Sequence, residues 1–296
     1  MKKHCYPSAY NALLPVLLVL SSLVCAFNSV SLFAHSDIPE QIAQVTREIE
    51  ADPHNVDLYL QRGELYRMEQ HWRAALADFD EVQQLDPGNV QAELGRGNTW
   101  LDRGDYPRAL ESLNRAVSME PGYVRARLAR AKAWQLSGEP LAAASEYARV
   151  IELFVEPDDP LPEYYYERAR ALRDAGPEHI DAALQTLDDG CTRLGNIRVL
   201  MDYAIELERN RGNHVAALRR LDRIIDQSTR KESLLLLRGD ILRDGGMNSQ
   251  AEQAYAAALA AIDALPTRHR NSRMMIDLRK EIESRTLLPD QTGTGG

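Results

Sequence analysis

Chemistry has few places to reside in this chain. Its seven histidines are scattered, and Cys191 is the one cysteine beyond the first 25 residues. A lone thiol closes no disulfide within the chain and anchors no zinc site among dispersed imidazoles. The acidic stretches "DFDEV" (78–82) and "EPDD" (156–159) lack the ligand alternation and glycine of a calcium loop. "RDGGMNSQ", Arg243 to Gln250, reads as a turn between helices. No Ser, His and Asp set stands in a nucleophile context. Neither catalysis nor a cofactor is expected. One metal option is terminal: cleavage after Ala34 would give His35 a free amine beside its imidazole, a pair that suits copper or nickel, with His54 or His71 as further ligands. A disordered terminus is the plainer expectation there.

Bulk composition points to binding. Apolar residues make up 44% of the 296 and charged residues 27%, with Ala, Leu, Arg and Glu abundant, a mix that favours helix. The formal net charge of -9, without a long Lys/Arg run, argues against a nucleic-acid partner. At the start, "MKKH" precedes a stretch from Cys5 to Ala34 that has no charged residue, densest from Leu13 to Phe27. This reads as a secretory signal, 1–34, with cutting after Ala34 preferred over Ala26 because Asp37 and an amphipathic helix follow at once. The alternative is an uncleaved anchor, since Leu13 to Phe33 is long enough to span a bilayer. Either way the remainder is expected outside the cytoplasm, periplasmic or secreted, or held at the inner membrane facing the periplasm. Membrane contact is expected only if the segment stays uncleaved.

The elements that must carry any site repeat. Small or apolar residues recur at Gly63, Gly97, Ala131, Ala169, Ile205 and Gly239, each on the first helix of a pair. A second small residue follows on the next helix (Ala75, Ala109, Ala143, Ala183, Ala217, Ala251). One turn later comes a large one (Phe79, Leu113, Tyr147, Leu187, Leu221, Tyr255). The small residues admit close approach and the large ones fill the space beside it. Pro87 and Pro121 stop their helices, and Asp105 can cap the next. An arginine precedes the small residue at Arg62, Arg96, Arg130, Arg168 and Arg238. Its recurrence suits a structural contact between repeats better than a binding ladder.

With those residues in place, the chain resembles the tetratricopeptide repeat (TPR) family. Val56 to Gly88 carries the pattern through Gly63, Tyr66, Ala75, Phe79 and Pro87; Val90 to Gly122 carries it through Gly97, Trp100, Ala109, Ala116 and Pro121. Further repeats start near Val124, Pro162, Arg198 and Glu232, the fourth and fifth degenerate. The expected fold is all-α, a right-handed α-solenoid of about six helix-turn-helix repeats over 56–266. A lone helix is expected in 35–55, a capping helix in 267–286 and a disordered tail in 287–296. In the capping helix Met275, Ile276 and Leu278 should face the last repeat. A loop is inserted near 155–162, beside Tyr164, Tyr165 and Tyr166, which cannot all share one role on a helix. "GPEHIDAA" lengthens the turn inside the fourth repeat.

The resemblance implies a non-catalytic scaffold whose first helices line a concave groove for a protein or peptide. Groove positions taken from the family fall on Leu60, Leu94, Asn98, Arg125, Leu128, Lys132, Tyr166, Arg170 and Arg173. The floor is apolar, and the ladder through Glu64, Asn98, Lys132, Arg170, Glu206 and Asp240 turns basic in its middle. That centre suits an acidic extended segment, unless neighbouring carboxylates neutralise it. The carboxylate clamp of chaperone-binding relatives is matched at Asn98 alone. Beside the exported scaffold stand two other readings: a membrane-anchored assembly factor for an envelope complex, and a metal-binding protein through His35.

Overall fold

A computed structural model describes residues 37–155 and 160–286. The N-terminal run with its processing points and His35, the acidic part of the insertion, and the tail lie outside the described residues. The helices are α1 Ile38–Ala51, α2 Val56–Met68, α3 Trp72–Leu85, α4 Val90–Arg103, α5 Tyr106–Met119, α6 Val124–Leu136, α7 Pro140–Leu153 and α8 Pro162–Ala175. They continue as α9 Ile180–Leu194, α10 Arg198–Asn210, α11 His214–Gln227, α12 Glu232–Asp244, α13 Asn248–Asp263, α14 Thr267–Arg270 and α15 Arg273–Thr286. No strand occurs among the described residues. From α2 to α13 the chain forms six antiparallel pairs, each helix packing mainly on its neighbours in sequence, so the α-solenoid forms as expected.

Close approach within a pair rests on the small residues. A Cβ added to Gly63 would stand 2.8 Å from the Phe79 ring, and one on Gly97 2.6 Å from Leu113 Cγ. On Gly239 it would stand 2.3 Å from the Tyr255 ring. Phe79 serves two pairs, because a Cβ on Gly95 of α4 would meet the same ring at 2.5 Å. These rings and Leu113 are fully buried.

Two of the arginines beside those small residues tie second helices together across the first, and two more reach the preceding second helix alone. Arg62 of α2 grips Asp78 of α3 with both arms of its fork, at 2.7 and 2.9 Å, and donates to Thr46 Oγ1 of α1 at 3.2 Å. Arg130 likewise spans Glu146 of α7 at 2.6 Å and Asn114 of α5 at 2.9 Å. Arg96 reaches Asp80, and Arg238 meets Asp222 at 2.9 Å. Every one of these partners lies 16 residues before or after its arginine. The hydrogen bond to Asp78 raises the Arg62 pKa above its ordinary value. Arg168 makes no such contact among the described residues; Ala148 of α7 and Thr186 of α9 stand in the matching places and offer no carboxylate.

Turns within the pairs repeat as closely. In five of the six pairs the N–H beyond the turn returns to a carbonyl five residues back: His71 to Tyr66, Asp105 to Trp100, Glu139 to Trp134, Asn213 to Glu208 and Met247 to Leu242, at 2.8–2.9 Å. The residue just before that donor is left-handed at Gly104, Gly138, Gly212 and Gly246, and also at Gln70, φ 59°. In the longer turn of the fourth pair, Pro177–His179 form a short 3₁₀ segment. Asp105 does cap α5, accepting from Arg108 N at 3.3 Å.

The adjoining tyrosines take three roles. Tyr164 packs on Phe154 with centroids 5.8 Å apart, Tyr165 is buried in the core, and Tyr166 meets Tyr203 at 4.7 Å. At the far end, Met275, Leu278 and Ile282 pack on the last pair. Ile276 does not; it is 43% exposed. The seam of α15 runs through 275, 278 and 282 on one face, and Ile276 lies about 100° away from Met275.

Two stability changes follow from this geometry. Gly239→Ala improves helix propensity by about 0.5–1 kcal/mol, but crowding an immobile ring costs about 1–3 kcal/mol, so the urea midpoint should fall. Gln70→Gly should raise it by about 0.5 kcal/mol, the left-handed strain of a side-chain-bearing residue outweighing the added freedom of the unfolded chain. Circular dichroism during urea titration checks both.

Candidate binding groove

Successive first helices touch one another at α2–α4, α4–α6 and α8–α10, while successive second helices within the six pairs approach less closely. The first helices therefore line the inside of the curve. Contact is sparser between α6 and α8, beside the insertion, and between α10 and α12.

Polar rungs cross this inner surface. Arg67 of α2 pairs with Asp102 of α4 and with Glu64 of its own helix. Arg209 of α10 repeats the first contact with Asp244 of α12 at 2.6 Å, again 35 residues ahead. Between α6 and α8, the Gln135 side-chain oxygen, oriented by its neighbours, accepts from Arg170 at 3.0 and 3.2 Å. Arg170 also meets Glu167 at 2.8 Å. Arg173 pairs with Asp174 at 2.7 Å and lies 5.9 Å from the centre of the Tyr203 ring. Burial pushes the Tyr203 phenol up to about 12, so it stays protonated on the groove wall.

Between the rungs lies a stretch with uncommitted donors. Asn98 of α4 and Arg125 and Lys132 of α6 make no hydrogen bond or ion pair among the described residues. Arg125 and Lys132 are exposed, and Asn98 is half-buried. Apolar surface flanks them: Leu60 and Leu128 are partly exposed, Leu136 is 49% exposed and Met68 58%. Donors without acceptors beside open aliphatic surface suit an extended chain that brings carboxylates or backbone carbonyls.

The structure distributes the sequence-derived groove residues unevenly. Asn98, Arg125, Leu128 and Lys132 lie on the neighbouring helices α4 and α6, and Leu60 on α2. Leu94 lies lower: at 4% exposure it packs into the core with Leu101 and Leu113, and so supports the floor without presenting surface. Tyr166 is committed to Tyr203, and Arg170 and Arg173 are held by their own helix and its neighbours. The basic centre is thus narrower than the sequence suggests. Sequence reasoning missed the rungs. Their signal is an arginine followed 35 residues later by an aspartate, present only at Arg67–Asp102 and Arg209–Asp244.

No group of His, Cys, Asp and Glu among the described residues is arranged to hold a metal ion. None of the described helices is long and apolar enough to cross a membrane.

A tetratricopeptide repeat family model matches residues 60–124 and 94–160. The C-terminal part of a TPR repeat-containing protein from Cytophaga hutchinsonii superposes with a TM-score of 0.59 at 12% identity, over 81% of this chain and 94% of that one. A tetratricopeptide repeat protein from Parabacteroides merdae gives 0.48 at 15% identity, over 83% and 93%. YrrB, described as a TPR protein with an unusual peptide-binding site, gives 0.48 at 20% identity, over 62% and 91%. No curated protein matches the sequence. Residues 60–160 therefore carry tetratricopeptide repeats, and the solenoid continues on both sides of them in helix pairs of the same kind.

Proposed function

We propose that this protein is a non-catalytic scaffold that holds an extended acidic segment of a protein partner across α4 and α6. One observation carries the reading: Asn98, Arg125 and Lys132 are left without partners beside open aliphatic surface, while the rungs on either side are closed. The sparser contact between α6 and α8 gives such a segment room beside Lys132. Opposite charge speeds its arrival and fixes its register, and the apolar floor supplies area.

The probe is a fluorescein-labelled peptide alternating Glu and Leu. Its binding should weaken steeply with salt. Arg125→Glu with Lys132→Glu should weaken it by roughly tenfold or more, since two exposed charges each contribute up to about 1 kcal/mol. Arg149→Glu with Arg219→Glu, on the outer helices α7 and α11 and with the same change of charge, is the control. Equal loss in both variants would reduce the effect to overall charge and reject the groove.

The scaffold is further proposed to work outside the cytoplasm, on the strength of the charge-free run from Cys5 to Ala34. Mass spectrometry of protein released by osmotic shock should find His35 first; retention in the membrane fraction with Met1 or Lys2 first would favour the anchored form.

A further inference from the structure

The two ends of the solenoid are complementary halves of one repeat. The spacing of 16 residues that governs the arginine struts identifies them. Arg62 reaches back 16 residues to Thr46 of α1, as Arg130 reaches Asn114 of α5 and Arg238 reaches Asp222 of α11. Helix α1 therefore occupies the place of a second helix, and no described residue supplies a first helix beside it. At the other end, Arg279 of α15 pairs with Asp263 of α13, again 16 residues back. Helix α15 also runs parallel to α12. Arg230 beside the start of α12 reaches Met275, and the Arg285 guanidinium meets Asp240 while its carbonyl accepts from Arg243. It stands where the first helix of a seventh pair would stand, and no described residue follows it as a second helix.

The two ends match in charge as well as in kind. Around α1, Asp37, Glu40, Glu48, Glu50 and Asp52 face Arg47 alone. On the open side of α15 lie Arg273, Ile276 and Lys280, together with Glu283; Arg273 also meets Asp277 of its own helix at 3.8 Å, and Met274 at the edge is 67% exposed. The residue 16 ahead of the strut arginine is Asp78 for Arg62 and Glu146 for Arg130. In α1 the corresponding slot, two residues before Thr46, is Gln44. It is exposed, and its amide nitrogen donates to Glu48 at 3.0 Å. Its oxygen is an acceptor of the kind the free side of Arg279 would meet.

We infer that copies of this chain associate head to tail, α1 of one copy docking on α15 of the next to complete a helix pair. This contact is distinct from the groove and independent of it. Such a contact is heterologous and does not close on itself unless the rotation allows a ring. It is also weak. Lys280 occupies the slot of the small residues Gly63 and Gly97, and Gln41 the slot of Ala75, so the ends meet less closely than an internal pair. A 14-residue helix is about 21 Å long, and one face of it covers far less than the ~800 Å² per partner of a stable complex. Charge must supply much of the attraction, and salt must reverse it.

The test uses the full chain in a non-ionic detergent that holds its apolar N-terminal run. In sedimentation velocity the average mass should rise with protein concentration at low ionic strength and fall to the monomer at about 0.5 M salt. Arg273→Glu with Lys280→Glu, or Glu40→Lys with Glu48→Lys, should each abolish the rise. Reversing both ends in one chain should restore it. The substituted residues are exposed, and circular dichroism verifies that each variant is folded. A photo-crosslinking residue at Ile276, in a mixture of isotope-labelled and unlabelled copies, should capture peptides of 38–51 from the other copy. A mass independent of concentration, single-end variants that associate like the wild type, or crosslinks leading to the groove would each overturn the inference.

Discussion

A flat ring or a leucine pressed against a residue without bulk, 16 positions away, is the contact on which the rest depends. Gly63 and Phe79, Gly97 and Leu113, and Gly239 and Tyr255 bring paired helices closer than any Cβ would allow. Once the axes are that close, the neighbouring arginine falls between two second helices and reaches either of them by the same 16-residue step. Packing and polar bracing thus obey one spacing. The ion pairs add direction more than strength: partly exposed pairs contribute little on their own, but a forked guanidinium held at both sides fixes the angle at which repeats stack.

That angle decides which side chains remain available. The struts lie between helices and the 35-residue rungs lie along the inner surface, so most basic groups of the first helices are already occupied. What is left for a partner is defined by subtraction, at Asn98, Arg125 and Lys132. Net charge says little about such a surface. The chain is acidic overall, yet the uncommitted groups at its centre are donors and cations.

Much of this architecture was legible in the residues because it repeats. Gly63, Ala75, Phe79 and Pro87 announce a helix pair, and their echo announces a solenoid. The strut arginines were legible as structural for the same reason. What repeats poorly was hidden. Rungs at Arg67–Asp102 and Arg209–Asp244 occur only twice, across repeat boundaries. The burial of Leu94 comes from packing with Leu101 and Leu113, while Gly95 beside it admits Phe79 of the preceding pair. Arg168 keeps its place in the sequence pattern but meets Ala148 and Thr186 where other struts meet a carboxylate or an amide. The facing side of α15 was misjudged at Ile276 because apolar residues occupy both sides of that helix, and only its packing on α13 selects Met275 and Ile282.

The interruption of the period near 155–162 also has a mechanical side. The largest buried cluster runs without a break from Ala131 and Tyr147 through Tyr165 and Leu187 to Leu207, across that interruption. Smaller clusters hold α1 with α2 and the pairs beyond. A chain pulled from its ends gives way where the fewest apolar contacts must open at once. The N-terminal helices α1 and α2, held by three buried apolar residues, would therefore extend first, and the stretch around α6 to α10 would act as the stiff section of a spring whose first coil is soft. Amide hydrogen exchange, repeat by repeat, reads that order directly.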